Sequence, residues 1–193
     1  MGFLSVLSFA HRCIGERLQP GDIAVDATAG TGADTAFLCA TVGAKGTVYA
    51  FDIQQEALDR AAERVGLRQE ASGRLHLLLE SHANMRQAIP PSDHGRVAAV
   101  MFNLGYLPGG DKRIITRPET TVPALDAALS LLKPGGIVTA VLYPGHEGGR
   151  EEAERVESWA ASLPEEECQA VVYRFANRSG NPPYVIAVEK RKV

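Results

Sequence analysis

Two acidic residues and a glycine-rich turn at a fixed spacing form the group in this sequence best suited to chemistry. The turn reads Asp-Ala-Thr-Ala-Gly-Thr-Gly over residues 26–32, and Asp52 lies twenty positions beyond Gly32. Glycines let backbone amides approach a ligand closely, and a helix N-terminus that follows such a turn favours an anionic group. An acidic residue at the end of the next strand can accept hydrogen bonds from both hydroxyls of a ribose. The spacing therefore predicts a nucleoside ligand that carries a carboxylate.

The details of the turn distinguish between two such ligands. Thr35 stands where a dinucleotide fingerprint has its third glycine, which disfavours an NAD-dependent dehydrogenase, an alternative that the spacing alone allows. Asp26, at the start of the turn, suits the ammonium group of a ligand better than a pyrophosphate. We therefore expect S-adenosylmethionine, with the adenine beside Ser81 and His82. The expected cofactor-binding residues are Asp26, Thr28, Gly30, Thr31, Gly32, Asp34, Asp52, Gln54, Ser81, His82 and Asn103.

A second polar group follows a later apolar stretch, and its chemistry suits an amine. In Asn103-Leu-Gly-Tyr106, the asparagine oxygen and a neighbouring carbonyl can accept the two hydrogens of an amino group and so aim its lone pair. Tyr106 can stack on the substrate, and His146 in a later loop can accept a proton or contact the substrate. The motif resembles the Asn-Pro-Pro-Tyr signature of amino-group methyltransferases, with Leu-Gly in place of Pro-Pro. We expect Asn103, Tyr106 and His146 to be the catalytic residues.

Several other polar residues are candidates for binding a substrate. A literal Asn-Pro-Pro-Tyr at residues 181–184 is interpreted as a turn between two strands that points towards the pocket. Basic residues in the loop after Asn103 can contact phosphates, although a solvated surface is the commoner explanation for such residues. The expected substrate-binding residues are Tyr106, Lys112, Arg113, His146 and Asn181.

The elements that position these residues alternate between strand and helix until the last two strands, which have no helix between them. Such a pattern predicts an α/β fold: a three-layer, Rossmann-like class I methyltransferase domain spanning residues 1–193. Its seven-stranded sheet is expected to be mostly parallel, with an antiparallel strand from a C-terminal hairpin. The predicted strands are 23–26, 47–51, 75–79, 97–102, 137–143, 169–175 and 184–188. The predicted helices are 3–18 (within an N-terminal segment, 1–20), 33–42, 54–65, 119–132 and 151–163, with a short irregular or helical piece at 84–88.

Composition narrows the class of protein. Hydrophobic residues make up 45% of the chain and charged residues 22%, as in an ordinary soluble protein. The net charge of -3 argues against extended binding to a nucleic-acid duplex but leaves room for a local basic patch. Three widely spaced cysteines predict neither a disulfide framework nor a metal site and fit a reducing cytoplasm. No stretch approaches the length of a transmembrane helix, so no membrane partner is expected.

Several blocks together resemble a family of small bacterial proteins labelled rRNA methylases, over nearly the whole chain. They are 26–30, 49–54, 102–111, 118–121, 145–149 and 181–183, of which Asn-Leu-Gly-Tyr-Leu-Pro-Gly-Gly-Asp and Gly-His-Glu-Gly-Gly are distinctive. The resemblance implies methylation of the aminomethyl group of 5-aminomethyl-(2-thio)uridine at the tRNA wobble position, with the anticodon stem-loop as partner. Thr31, Ala33 and Ala83 depart from residues that are frequent in the family, which puts individual cofactor contacts in question.

Two alternatives remain beside this interpretation. The chain could methylate rRNA or a small amine, which the acidic net charge favours, or it could be a non-catalytic RNA-binding domain on the same scaffold. The intact Asp26, Asp52 and Asn103 argue against the non-catalytic alternative. The sequence leaves the oligomeric state open, with a homodimer as one option.

Overall fold

The computed structural model describes residues 2–66, 74–111 and 113–191. Its strands are β1 (Ile23–Asp26), β2 (Thr47–Asp52), β3 (Arg74–Leu79), β4 (Val97–Asn103), β5 (Leu132–Leu142), β6 (Cys168–Tyr173) and β7 (Tyr184–Lys190). Its helices are α1 (Val6–Gly15), α2 (Ala33–Val42), α3 (Gln55–Gly66), α4 (Met85–Ala88), α5 (Pro118–Leu131) and α6 (Gly149–Ala161). Short 3₁₀ turns at His82–Asn84 and Pro91–Asp93 connect β3 to β4.

The strands form one seven-stranded sheet in the order β3-β2-β1-β4-β5-β7-β6. Strands β1 to β5 pair in parallel, whereas β7 is antiparallel to both β5 and β6. The prediction of a mostly parallel sheet with a C-terminal antiparallel hairpin is therefore confirmed. The order of strands reverses between β1 and β4, so a crevice opens outside their carboxyl ends, which is where open α/β sheets bind ligands.

The sheet is covered on both faces, which explains the apolar character of its central strands. Every residue of β1 is buried, and so is β4 up to its last residue, Asn103. Strands buried on both sides lose the polar-apolar alternation of a half-exposed sheet. Helices α1, α2 and α3 pack on one face, around Ile14 and Leu38. Helices α4, α5 and α6 pack on the other, around Phe102 and Leu125.

Two elements differ from their predicted bounds by more than two residues at an end. Helix α1 begins after Ser5, whose hydroxyl accepts a hydrogen bond from the Ser8 amide at 3.1 Å, so it starts and ends inside the predicted 3–18 range. Strand β5 begins at Leu132 rather than at Ile137, because Leu132 pairs with Val97 before the register shifts. Sheet pairing there overrides the local turn signal of the Pro-Gly-Gly that follows. None of the helices in the described ranges is long and apolar enough to cross a bilayer.

Candidate active site

A cavity of about 830 Å³ opens at the carboxyl ends of the central strands, where the strand order reverses. Its size suits a ligand of nucleoside dimensions. The predicted site residues that line it are Thr28, Gly30, Thr31, Asp34, Asp52, Gln54, Ser81, His82, Asn103, Tyr106, His146 and Asn181. The structure thus brings residues from both predicted groups to one cavity. Asp26, Gly32 and Arg113 do not line it, and Lys112 lies outside the described residues.

Asp26 lies beneath the glycine turn rather than in the cavity wall. Its side chain is fully buried; one carboxylate oxygen accepts from the Thr28 amide at 3.1 Å and the other from the Thr35 hydroxyl at 2.6 Å. Burial raises the pKa of Asp26, and the nearby charge of Asp34 raises it further. The direct contact with a ligand's ammonium group stays a prediction from the sequence, since the Asp26 carboxylate does not line the cavity. In the structure, Asp26 holds the turn in shape from below.

Asp52 joins the end of β2 to the same turn. One carboxylate oxygen accepts from the Gly30 amide and the other from the Gln54 amide, both at 3.0 Å. The carboxylate reaches the cavity wall, where its remaining lone pairs face the space beside the turn. This arrangement is suited to accepting hydrogen bonds from the hydroxyls of a ribose.

Gly32 is the N-cap residue directly before α2, and it has a conformation that glycine adopts without strain. Its φ is 75°, and a Cβ built there would lie 2.5 Å from the Cα of Ala61 in α3. The residue is therefore required for the close packing of α2 on α3, and its contact with a ligand stays a prediction. It still shapes the site, because it aims the N-terminus of α2, and with it Asp34, towards the cavity.

His82 occupies the end of the cavity beyond β3 and is only 8% exposed. Its Nδ1 lies 3.2 Å from the Ala27 carbonyl, and its Nε2 has no hydrogen-bond partner among the residues that the structure describes. Burial lowers the pKa of His82, so the ring is neutral near pH 7 and Nδ1 carries the proton that it donates to the carbonyl. Nε2 is then an unpaired acceptor. An orphaned acceptor, the Asp52 carboxylate and the α2 N-terminus together fit the adenine, ribose and carboxylate of S-adenosylmethionine.

Asn103 connects the cofactor turn to the far side of the cavity. Its backbone amide donates to the Thr28 hydroxyl at 2.7 Å, and its side chain is hydrogen-bonded to the Tyr143 hydroxyl. Burial raises the pKa of Tyr143, so this phenol remains protonated near neutral pH. Tyr143 is not among the site residues predicted from the sequence. Its position directly after β5, at the same sheet edge, was the available signal.

Tyr106 and His146 come together across two loops that are distant in sequence. Their rings meet edge to face, with centroids 5.7 Å apart and an angle of 73° between the planes. His146 Nδ1 lies 3.0 Å from the Glu147 carbonyl, whereas its buried Nε2 has no hydrogen-bond partner in the described ranges. Tyr106 remains 37% exposed at the mouth of the cavity. Tyr106 therefore offers an aromatic face to a substrate entering from solvent, whereas the Nε2 of His146 is buried beside Gly105.

The basic residues of the loop after β4 differ in what they face. Arg113 forms a salt bridge with Asp111, with 2.7 Å between Nη2 and Oδ2, and its side chain is 89% exposed. Arg117 lines the cavity, although it is not among the predicted substrate-binding residues. Asn181 lines the opposite rim with a φ of 52°, in the turn that joins β6 to β7. A phosphate at the cavity mouth would therefore meet Arg117 before Arg113.

Comparison with known proteins gives consistent results. The profile of a family described as "Putative rRNA methylase" matches residues 48–189. A tRNA (mnm(5)s(2)U34)-methyltransferase of the Arabidopsis thaliana chloroplast is 39% identical over 190 residues, covering 94% of this chain and 68% of that protein. The crystal structure of a putative rRNA-methylase from Clostridium thermocellum has 39% identity and a TM-score of 0.93, covering 98% of this chain and all of that one. A putative methyltransferase from Streptococcus mutans in complex with SAH has 28% identity and a TM-score of 0.86, covering 98% and 99% of the two chains.

Proposed function

The chain belongs to the family described as putative rRNA methylases and is an S-adenosylmethionine-dependent methyltransferase; we propose that it methylates the amino group of 5-aminomethyl-(2-thio)uridine at the tRNA wobble position. The main support for the proposal is the position of Asn103. Its side-chain amide lies at the end of β4, beside the cofactor turn, and is oriented by Tyr143. The chloroplast relative that is named for the corresponding tRNA nucleoside supports the same substrate.

We assign the cofactor to the side of the cavity formed by β1, β2 and the start of α2. The N-terminus of α2 attracts the methionine carboxylate, and the Asp52 carboxylate accepts from the ribose hydroxyls. His82 Nε2 accepts from the exocyclic amine of the adenine, which gives that buried nitrogen a partner. Gly30, Thr31 and Gln54 complete the wall on this side.

The residues on the other side of the cavity orient the amine. Bound S-adenosylmethionine supplies a methyl group on a positively charged sulfur, which is reactive enough that a neutral amine needs mainly to be positioned. The Asn103 amide nitrogen donates to the Tyr143 oxygen, which leaves the Asn103 carbonyl oxygen to accept a hydrogen from the substrate amine. The Leu104 carbonyl or another neighbouring carbonyl accepts the second hydrogen, so the nitrogen lone pair points at the methyl group.

The mouth of the cavity has the features that hold an unstacked nucleotide. Tyr106 offers an exposed aromatic face on which a base can stack, as single-stranded RNA is commonly bound. Arg117 places a positive charge at the same opening, where it can meet a phosphate next to the target nucleotide. A local charge of this kind allows RNA binding by a chain with a net charge of -3.

The proposal is tested by transfer of a labelled methyl group from S-adenosylmethionine. We expect label in intact tRNA that carries the aminomethyl nucleoside and no transfer when the tRNA has first been digested with RNase. Label in rRNA but not in tRNA would establish the rRNA alternative, which the family description favours. Transfer to free small amines at a comparable rate would show that RNA is not required.

A further inference from the structure

Glu152 in α6 is a buried carboxylate that the proposed mechanism does not use. It is only 2% exposed, and it does not line the cavity. Its Oε1 accepts from the Thr121 hydroxyl at 2.6 Å, and its Oε2 accepts from the Thr116 hydroxyl at 2.8 Å. Burying a carboxylate carries a desolvation cost that is tolerated only when its oxygens are hydrogen-bonded. The position therefore calls for an explanation beyond packing.

The hydrogen bonds of Thr116 lead from Glu152 to the loop that carries the proposed amine-binding residues. Thr116 Oγ1 accepts from the Gly105 amide at 2.8 Å, and the Thr116 amide donates to the Gly105 carbonyl at 2.9 Å. The Thr116 hydroxyl already accepts from Gly105, so its own hydrogen has to go to Glu152. Gly105 stands between Asn103 and Tyr106 in the chain. We call residues 103–111 and 113–117 the substrate loop.

The substrate loop also contacts the His146 loop at Gly105. A Cβ at Gly105, whose φ is 144°, would lie 3.2 Å from His146 Nε2, so the backbone and the imidazole pack closely. Tyr106 and Ile115 form a single antiparallel bridge across the substrate loop itself. A shift of Gly105 would therefore move Tyr106 and change its contact with His146.

We propose that Glu152 is a positioning residue, whose side chain holds the substrate loop through Thr116 and Gly105. The proposal rests on the proposed function only in assigning the substrate to this loop. A carboxylate offers an acceptor to each threonine hydroxyl, so Glu152 connects Thr116 of the substrate loop to Thr121 of α5.

Neighbouring groups shift the ionisation of Glu152 in both directions. Burial raises the pKa of Glu152 above its ordinary value, the hydrogen bonds from Thr121 and Thr116 and the charge of His146 lower it, and Glu119 in α5 raises it. The net direction is upward. Because the folded-state pKa is raised, the contribution of Glu152 to stability is present in acid and is lost as the pH rises through that raised pKa.

The first test measures amide hydrogen exchange at Gly105 in the full-length protein, without cofactor or RNA. Thr116→Val removes the acceptor of the Gly105 amide, so its protection should fall by about tenfold. Thr121→Val keeps that acceptor, and Thr41→Val removes a hydroxyl from a half-buried position in α2; both should leave Gly105 within about threefold of the wild type. Equal protection of Gly105 in the Thr116→Val variant and the wild type would overturn the proposal.

The second test uses Glu152→Gln and is read by the same exchange measurement. The glutamine oxygen can accept from Thr116 while its amide donates to Thr121, so protection at Gly105 should be kept near neutral pH. Glu152→Ala removes the acceptor of the Thr116 hydroxyl, so protection at Gly105 should fall by about tenfold. Equal protection of Gly105 in Glu152→Ala and Glu152→Gln would show that Glu152 does not hold the substrate loop.

The third test connects the loop to catalysis with tRNA as substrate. Glu152→Ala should lower kcat/KM by about tenfold to 100-fold, while the affinity for S-adenosylmethionine measured by calorimetry stays unchanged. Glu152→Gln should restore most of the lost activity at neutral pH. Equal losses in both variants would contradict a positioning role. Absence of activity on tRNA in the wild type itself would refute the proposed function and leave the exchange results to decide the role of Glu152.

Discussion

The two sides of the cavity are built in different ways. On the cofactor side, side-chain carboxylates bind backbone amides of the turn itself, as Asp26 binds the amide of Thr28 and Asp52 binds that of Gly30. On the substrate side, side chains from loops far apart in sequence bind one another, as Glu152 binds Thr116 and Asn103 binds Tyr143. The cofactor side therefore depends on a local motif, whereas the substrate side depends on the packing of the whole sheet edge.

Among the variants considered, Asn103→Ala is expected to give the largest difference between the effect on catalysis and the effect on cofactor binding. The backbone amide that donates to Thr28 remains, so the affinity for S-adenosylmethionine should stay within about threefold, whereas kcat should fall by about 100-fold because the amine loses its acceptor. Calorimetry and steady-state methyl transfer measure the two effects. Asn177→Ala, in the exposed turn before β7, is the matched control. Full activity of Asn103→Ala would disprove the amine-positioning role.

Asp52→Ala should show the opposite pattern. Removing the carboxylate takes away the acceptor for the ribose hydroxyls and frees the Gly30 amide, so the dissociation constant for S-adenosylmethionine should rise by about 30-fold. With saturating cofactor, kcat should recover to within a few-fold of the wild type. Asp59→Ala, on the exposed face of α3, controls for the lost charge and should bind normally. Unchanged cofactor affinity in Asp52→Ala would show that the two sides are not divided as described.

Arg117 and Arg113 test the RNA-facing rim of the substrate side. Arg117→Ala should raise the KM for tRNA by about tenfold and reduce its dependence on salt, because a charge at the cavity mouth is lost. Arg113→Ala should change the KM by less than about threefold, because Asp111 already pairs with that guanidinium at the surface. A larger increase in KM for Arg113→Ala than for Arg117→Ala would show that Arg113, and not Arg117, is the residue that contacts the RNA.

The smallest expected effect concerns the buried carboxylate under the cofactor turn. Because burial raises the pKa of Asp26 in the folded state, its stabilising contribution is present in acid and is lost as the pH rises through the raised pKa. Asp26→Asn does not titrate, so its stability relative to the wild type should increase by about 1 kcal/mol or more between about pH 4 and pH 8. Denaturant unfolding at several pH values measures this. A constant difference would show that Asp26 does not titrate abnormally.

The contrast between the two sides also explains what the sequence could predict. The glycine turn and the acid after β2 are local patterns, and the alternation of elements predicted the sheet with its final hairpin, which is confirmed. Whether a side chain faces the cavity is a property of three-dimensional packing. For this reason the sequence did not predict that Asp26 is buried below the turn. It also did not predict the buried position of Glu152. The preference for Arg117 over Arg113 depends on an ion pair that spacing alone does not reveal.

The most direct test of the central claim is nucleoside mass spectrometry of tRNA from cells that lack this protein. We expect 5-aminomethyl-(2-thio)uridine to accumulate and its methylated form to disappear, with the wild-type chain restoring the methylated nucleoside and Asn103→Ala failing to do so. An unchanged nucleoside composition in the absence of the protein would contradict the assignment of the tRNA wobble amine as its substrate.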